Sequence, residues 1–404
     1  MTESSSFEHA EPKGLSDGSK SHDTPGLKRR EFLAIGALPL AAAVGPVNLV
    51  SPRGASAKRS QQEPIRIGMI GAGTNLRTVQ IPAFRRIPGC EIVAVANRSL
   101  ESSQRVTDEF NIPRAYANWE ELLDDDGIDA VSIGTWPYMH RTLTLAALER
   151  GKHVLTQARM ANNAQEARDM LEASLQHPDL VCQLVPTSMS YRIDNVLKRM
   201  IGEGYLGDVL SVELQRLQTR FPAVGGELDW RHDERFSGYN ILNIGASYEV
   251  MMRWLGQGNR VIAMSKLHVP YRSNAAGEPT SVVIPDHVDV LFELANGAQV
   301  HMRASETTGL STGNETWIHG SEGTIYVDRR QNVFAGRRGD SELTEVPNPR
   351  SEQAYNRVEE EFTNAIRGAE EITMAPFETG VRYMEWTEAV YRSSQIGQTV
   401  YLPV

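Results

Sequence analysis

Gly71-Ala72-Gly73 closes the apolar run IRIGMIGAG (65–73), and a helix-like pattern follows through VQIPAFRRI (79–87). Strand, tight glycine turn and helix together suit a dinucleotide. Gly71 permits the turn, Gly73 lets backbone approach a pyrophosphate, and the helix N-terminus favours its charge. The third glycine of this fingerprint is missing, because Leu76 stands in its place. A second strand, CEIVAVANR (90–98), follows at the spacing of a βαβ unit, and Asn97-Arg98 stands at its tip, where a ribose-reading acid is expected. Loss of that acid beside an arginine favours the 2′-phosphate of NADP(H) over NAD(H). The alternative is an Arg98 that faces solvent or stacks on adenine.

These residues need a sheet to carry them. A short strand and helix in AYANWEELLDD (115–125) precede the strands DAVSIGTWPYMH (129–140), KHVLTQARMA (152–161) and LVCQLVPT (180–187), with further helix-like stretches between them. Strands alternating with helices predict a parallel sheet, whose ligands bind at the carboxyl ends of the strands. Those ends are Gly71–Asn75, Asn97-Arg98, Thr135–His140, Gln157–Arg159 and Pro186–Ser190. The cofactor candidates are therefore Gly71, Gly73, Thr74, Asn75, Asn97, Arg98, Thr135, Pro137, His140 and Gln157. Beyond residue 187 the runs 208–217, 260–269, 286–305 (with a turn at Asn296-Gly297), 315–328 and 332–339 read as an open, mostly antiparallel sheet. The expected class is α/β, with a Rossmann dinucleotide-binding domain over 58–187 and an α+β domain over 188–404. Two helices end the chain, 354–368 and 376–395, with Glu359–Glu361 expected on a solvated face.

The 404 residues carry a formal charge of −10, to which residues 1–57 contribute nothing. An acidic folded part argues against a nucleic-acid partner. Cys90 and Cys182 each sit in an apolar run and are expected as buried thiols; no metal site is expected. Arg29-Arg30, the apolar run 32–50 and Ala55-Ser56-Ala57 follow the layout of a cleaved export signal, with prolines that make a poor spanning helix. The RRxFL pattern resembles a twin-arginine signal, so the export machinery is an expected partner, the periplasm an expected location, and a permanent membrane span is not expected.

The series GAG, VANRS, TWPYMH, GKHVLTQARMA, IGEGYLGDV (201–209), SGYNILNIGASYEVMMRWLG (237–256) and GSEGTIYVD (320–328) resembles the Gfo/Idh/MocA oxidoreductase family. The resemblance implies a Rossmann domain and makes 188–404 a substrate and oligomerisation domain, whose open sheet binds sugars, inositols or related polyols and often builds a homo-oligomer. Family members usually carry Glu-Lys-Pro where this chain has Gln157-Ala158-Arg159, and D-x-G-x-H where it has Asn243-Ile244-Gly245-Ala246-Ser247. The lysine, aspartate and histidine are all lost, and Asn, Ala and Ser cannot take a hydroxyl proton near neutral pH.

Substitutes for the lost groups are Arg159, suited to holding an oxyanion, and His140 or Tyr191 as proton carriers, with Tyr239, Tyr248 and Glu249 nearby. Tyr191 would need a neighbouring cation such as Arg159 or Arg192 to lower its pKa. His140 has a plainer alternative in bonding a backbone carbonyl, and Tyr248 in packing the core. The substrate candidates are Arg192, Trp230, Arg231, Tyr239, Asn243 and Ser247, with Trp230 and Arg231 offering a plate and a cation on the irregular segment 218–240. The expected function is an exported NAD(P)-dependent oxidoreductase that keeps its cofactor bound and acts on a carbohydrate-like small molecule: a sugar, glycoside or related polyol. The alternatives are a hydrolase or lyase working through transient sugar oxidation, and a non-catalytic binding protein.

Overall fold

The computed structural model describes residues 63–239 and 241–404, and the arginine pair with its apolar run lies outside them. Six strands, β1 (Ile65–Ile70), β2 (Cys90–Ala96), β3 (Arg114–Tyr116), β4 (Ala130–Ile133), β5 (His153–Thr156) and β6 (Cys182–Leu184), form a parallel sheet in the order β3-β2-β1-β4-β5-β6. Helices α1 (Ile81–Phe84), α2 (Leu100–Phe110), α3 (Trp119–Leu123), α4 (His140–Glu149) and α5 (Ala164–Gln176) connect them. The strands are short apolar runs; every residue of β4 is buried. The order reverses between β1 and β4, which leaves a crevice at their carboxyl ends. The α/β class expected from the alternating pattern is the one observed.

The third glycine of the turn is replaced by an exchange of sizes. Leu76, in the turn before α1, is buried, and the residue after β4 is Gly134. A Cβ at Gly134 would lie 2.1 Å from Leu76 Cδ1, so the bulk has moved to the helix and the gap to the strand.

After α6 (Tyr191–Gly202), the second half is a nine-stranded mixed sheet. It comprises β7 (Val209–Leu217), β8 (Gly258–Lys266), β11 (His287–Leu294), β12 (Gln299–Ser305), β13 (Glu315–Gly320), β14 (Gly323–Val327), β15 (Val333–Arg337), β16 (Thr344–Glu345) and β17 (Val400–Tyr401). A separate ribbon pairs β9 (Tyr271–Ser273) with β10 (Pro279–Ser281). Only the β7–β12 pair of the large sheet is parallel. β11 alternates buried with more exposed residues, so one sheet face is core and the other is open. Helices α7 (Glu234–Ser237) and α8 (Ile244–Leu255) complete this half, and Tyr248 of α8 stacks on Trp386 at 4.4 Å, the core role given above as its alternative.

The chain then returns to the first sheet. Val358 and Phe362 of α9 (Val358–Ile366) are fully buried with Ile65 and Ile67 of β1, each contributing about 1.5–3 kcal/mol relative to exposure. Helix α10 (Phe377–Ile396) packs on β8 and on α5, where the Tyr383 hydroxyl accepts from Met160 N at 2.6 Å and Glu388 accepts from Ala164 N at 2.9 Å. The acidic run of α9 is accordingly not a solvated face. Glu361 is buried and accepts from Gln183, Thr373 and Met374, closing the loop that follows its own helix.

Glu359 is 3% exposed, its Oε1 has no hydrogen-bond donor among the described residues, and burial pushes its carboxyl up to about 7. A raised folded-state pKa means that the native protein keeps a proton which the unfolded chain has lost. Stability therefore falls as pH rises from about 4.5 through about 7. Glu359→Gln is expected to gain on the order of 2 kcal/mol at pH 8 and little at pH 5. Thermal melts at the two pH values check this, and an unchanged pH slope in the variant would refute it.

Candidate active site

The carboxyl ends of β1, β4 and β5 present Gly71–Asn75, Thr135–His140 and Gln157–Arg159 to one crevice. Gly71 adopts φ 74°, and a Cβ there would lie 2.6 Å from Thr135 Cγ2, so the turn requires glycine. Beside Gly73 there is open space, with only the Gly71 carbonyl oxygen at 3.9 Å from a would-be Cβ. Thr74 and Asn75 are exposed as the helix opens. Pro137 is buried and starts the turn into α4. Thr135 Oγ1 and Gln157 Nε2 are buried without hydrogen-bond partners among the described residues. A glycine cradle with orphaned polar atoms beyond it fits the pyrophosphate and the polar ring of a nicotinamide dinucleotide.

Asn97 differs from its expected role. Its Oδ1 accepts from Ala72 N at 2.7 Å and its Nδ2 donates to Ser102 O at 3.0 Å, so it pins the glycine turn to α2. Arg98, beside it, is exposed at the strand tip.

Of the proposed proton carriers, neither is placed to act. His140 is fully buried, with Nδ1 2.8 Å from the carbonyl oxygen of Arg159 and Nε2 2.9 Å from that of Thr135. The Met160 carbonyl oxygen lies 3.2 Å from Nδ1 as well; complete burial outweighs the three carbonyl partners, which favour the charged ring, and holds its pKa below the ordinary value. The ring is therefore a clamp between the β4 and β5 exits. Tyr191 is buried under the Arg253 guanidinium, 5.0 Å from its ring centre, and burial raises its phenol despite that charge. Glu249, pushed up to about 7 mainly by burial, accepts from Thr187 N and Arg253. Arg192 reaches the Arg330 carbonyl and the Asn332 side chain, which ties α6 to the β14–β15 turn rather than to the crevice.

Arg159 is at the centre of the site. Its Nη1 donates to Asn243 Oδ1 at 3.4 Å, and its Nη2 to Ser237 O at 3.3 Å and Oγ at 3.2 Å. Burial, reinforced by the nearby charge of Arg231, pulls its guanidinium down to about 9. Ser247 accepts from Arg216 Nε at 3.1 Å, and burial draws that guanidinium down to about 10. Each of the two polar residues of the Asn243–Ser247 motif thus meets an arginine. Such desolvated cations favour an oxygen that gains negative charge beside them.

The irregular segment supplies the opposite wall. Trp230 stacks on Trp136 at 5.7 Å, Phe236 packs on Trp136 and Tyr138, and Arg231 lies 4.3 Å over the Trp230 ring. Arg159 lies 5.8 Å from the same ring. Tyr239 instead stacks on Tyr391 at 4.3 Å. Asn162 Nδ2, donating to Arg235 O at 3.2 Å, holds this segment against the β5 exit.

Sequence reasoning missed Trp136, Asn162, Arg216 and Ser237. Only Trp136 had a signal, an aromatic side chain at a strand exit. Cys90 and Cys182 are free and half-buried, and burial pushes both thiols up to about 12. Among the described residues no cluster of His, Cys, Asp and Glu is placed to hold a metal, and no helix is long and apolar enough to cross a membrane.

Residues 65–183 match the model of the oxidoreductase family with an NAD-binding Rossmann fold, and 195–326 match the GFO/IDH/MocA C-terminal domain. A 1,5-anhydro-D-fructose reductase of Ensifer adhaerens is 38% identical over 263 residues, which are 64% of this chain and 74% of that protein. Levoglucosan dehydrogenase of Pseudarthrobacter phenanthrenivorans is 25% identical over 308 residues, 68% of this chain and 78% of its own. A solved levoglucosan dehydrogenase in complex with NADH and L-sorbose shares the fold at a TM-score of 0.72 and 22% identity, over 84% of this chain and 99% of its own. With the glycine cradle at the switch point and both halves matched in order, this chain belongs to the Gfo/Idh/MocA family of NAD-binding oxidoreductases.

Proposed function

We propose that the protein is an exported oxidoreductase that interconverts a hydroxyl and a carbonyl group on a sugar, glycoside or related polyol, with a resident NADP(H). The observation that carries this reading is Arg159, a desolvated guanidinium held by Asn243 and Ser237 at the β5 exit. The bound dinucleotide supplies the hydride acceptor or donor. Gly71, Gly73 and the opening turn of the helix would hold its phosphates, with Thr135 and Gln157 meeting the nicotinamide end. Arg159 favours the substrate oxygen in its anionic form, which lowers the cost of losing the hydroxyl proton to water. Trp230 and Trp136 give an apolar plate for a sugar ring and shield the cation from solvent. The named relatives act on sugar-like alcohols and ketones, which supports the substrate class.

Arg98 supports NADP(H), since a guanidinium at the β2 tip suits a 2′-phosphate. The leader supports export in a folded, loaded state. The open sheet face, with Met264 77% exposed and Ile262 and Leu291 about half-exposed, supports a homo-oligomer.

The decisive test is to purify the chain without residues 1–57, denature it and identify the released nucleotide. Stoichiometric NADP(H) is expected, and protein that is empty and binds no added dinucleotide would overturn the reading. Arg98→Ala is expected to weaken NADPH binding roughly 10–100-fold with NADH nearly unchanged, read by nicotinamide fluorescence titration.

A further inference from the structure

Two cavities of about 130 and 280 Å³ lie on the second-domain side of the reaction centre. The first is bordered by Asn243 and Arg231, which also border the centre, and the second by Arg220, Phe221 and Thr307. Both are lined by His232, Arg272, Asp286 and Glu306, so one wall of side chains serves the two. Each is smaller than the roughly 300 Å³ at which whole small-molecule sites begin, a size that suits one part of a larger ligand.

The wall has the mixed chemistry of a site for vicinal hydroxyls. Arg272 is 8% exposed, donates to Glu306 at 3.2 Å, and keeps a buried Nε with no acceptor among the described residues. Glu306 also faces His232 Nε2 at 3.8 Å. Asp286 is saturated by His268 N, His268 Nδ1 and Val269 N. The cations Arg231 and Arg272 each already meet a carboxylate, Asp229 and Glu306, so the wall is close to neutral and does not call for a charged ligand. At the outer end Phe221 is 70% exposed, its ring packed over Gly309, a flat apolar plate at a polar rim.

Resting on the reading that the centre oxidises or reduces a sugar-like ring, we propose that the substrate has a second ring. That ring is a neutral sugar or aryl aglycone in the outer cavity, bonded by Arg272, Glu306 and His232 and stacked on Phe221. The substrate is then a glycoside and not a free monosaccharide.

The test uses the cofactor-loaded protein and matched pairs: glucose, galactose and mannose, each against its 1→4-linked disaccharide and its p-nitrophenyl glycosides. kcat/KM is read from the nicotinamide absorbance. For a reacting pair, the glycoside is expected to be preferred at least about tenfold, and Phe221→Ala and Glu306→Gln to reduce that ratio roughly three- to tenfold. A free sugar used as well as its glycoside, or a preference that both variants keep, overturns the second-ring site and leaves the proposed reaction standing. Silence of every pair in loaded protein counts against the reaction itself, and the second-ring site falls with it.

Discussion

Arg159→Ala is expected to lower kcat by about two to three orders of magnitude with cofactor binding retained, because it removes the cation beside the reacting oxygen. The guanidinium is desolvated, held by Asn243 and Ser237, and faces Trp230, so no solvent shell competes for its charge. Arg159→Lys is expected to recover part of the loss, since the charge returns without the planar fork that meets Ser237 and Asn243 together. Steady-state kinetics of the three forms on a reacting sugar check this, alongside nicotinamide binding. A kcat within threefold of the parent in Arg159→Ala would remove the guanidinium from the reaction. Loss of binding in that variant would instead mark it as part of the nucleotide pocket.

The second large effect concerns the glycine turn. Gly71→Ala is expected to abolish nucleotide retention and to destabilise the fold by about 1–3 kcal/mol, because φ is 74° and the new methyl would collide with Thr135. Gly73→Ala makes a sharper test. Its methyl meets nothing closer than the Gly71 carbonyl oxygen, so the fold should melt within about 0.5 kcal/mol of the parent. Nucleotide binding should nevertheless fall roughly 100-fold, since the methyl occupies the space a pyrophosphate would approach. A Gly73→Ala protein that keeps its nucleotide would place the phosphates elsewhere.

The candidate site was only partly legible in the sequence. The strand-end rule brought Thr135, Gln157 and Arg159 to one crevice, and the loss of a lysine, an aspartate and a histidine could be read by alignment to the family pattern. The rule did not say that His140 points inward to three carbonyl oxygens, or that Asn97 is spent on Ala72 and Ser102. Both side chains have the right type at the right position. Their partners are backbone atoms of neighbouring turns, and periodicity carries no trace of those. Glu359–Glu361 failed for a related reason: α9 packs its acidic turn against the first sheet, where Glu361 finds four donors and Glu359 has one oxygen without any.

What the sequence by itself determined is what neighbours along the chain decide: alternating strands and helices, a glycine turn, a second sheet with one open face, and a motif series that marks the family. Leu76 against Gly134 marks the limit, because the departure was visible but its compensation was not. Only the tertiary structure decided what surrounds the positions where the usual groups are lost. Arg159 meets Ser237 across 78 positions and Asn243 across 84, and Ser247 meets Arg216 across 31. Contacts at such separations are set by how two packed sheets and a returning helix pair fit together, and burial there shifts the charges that the chemistry would use.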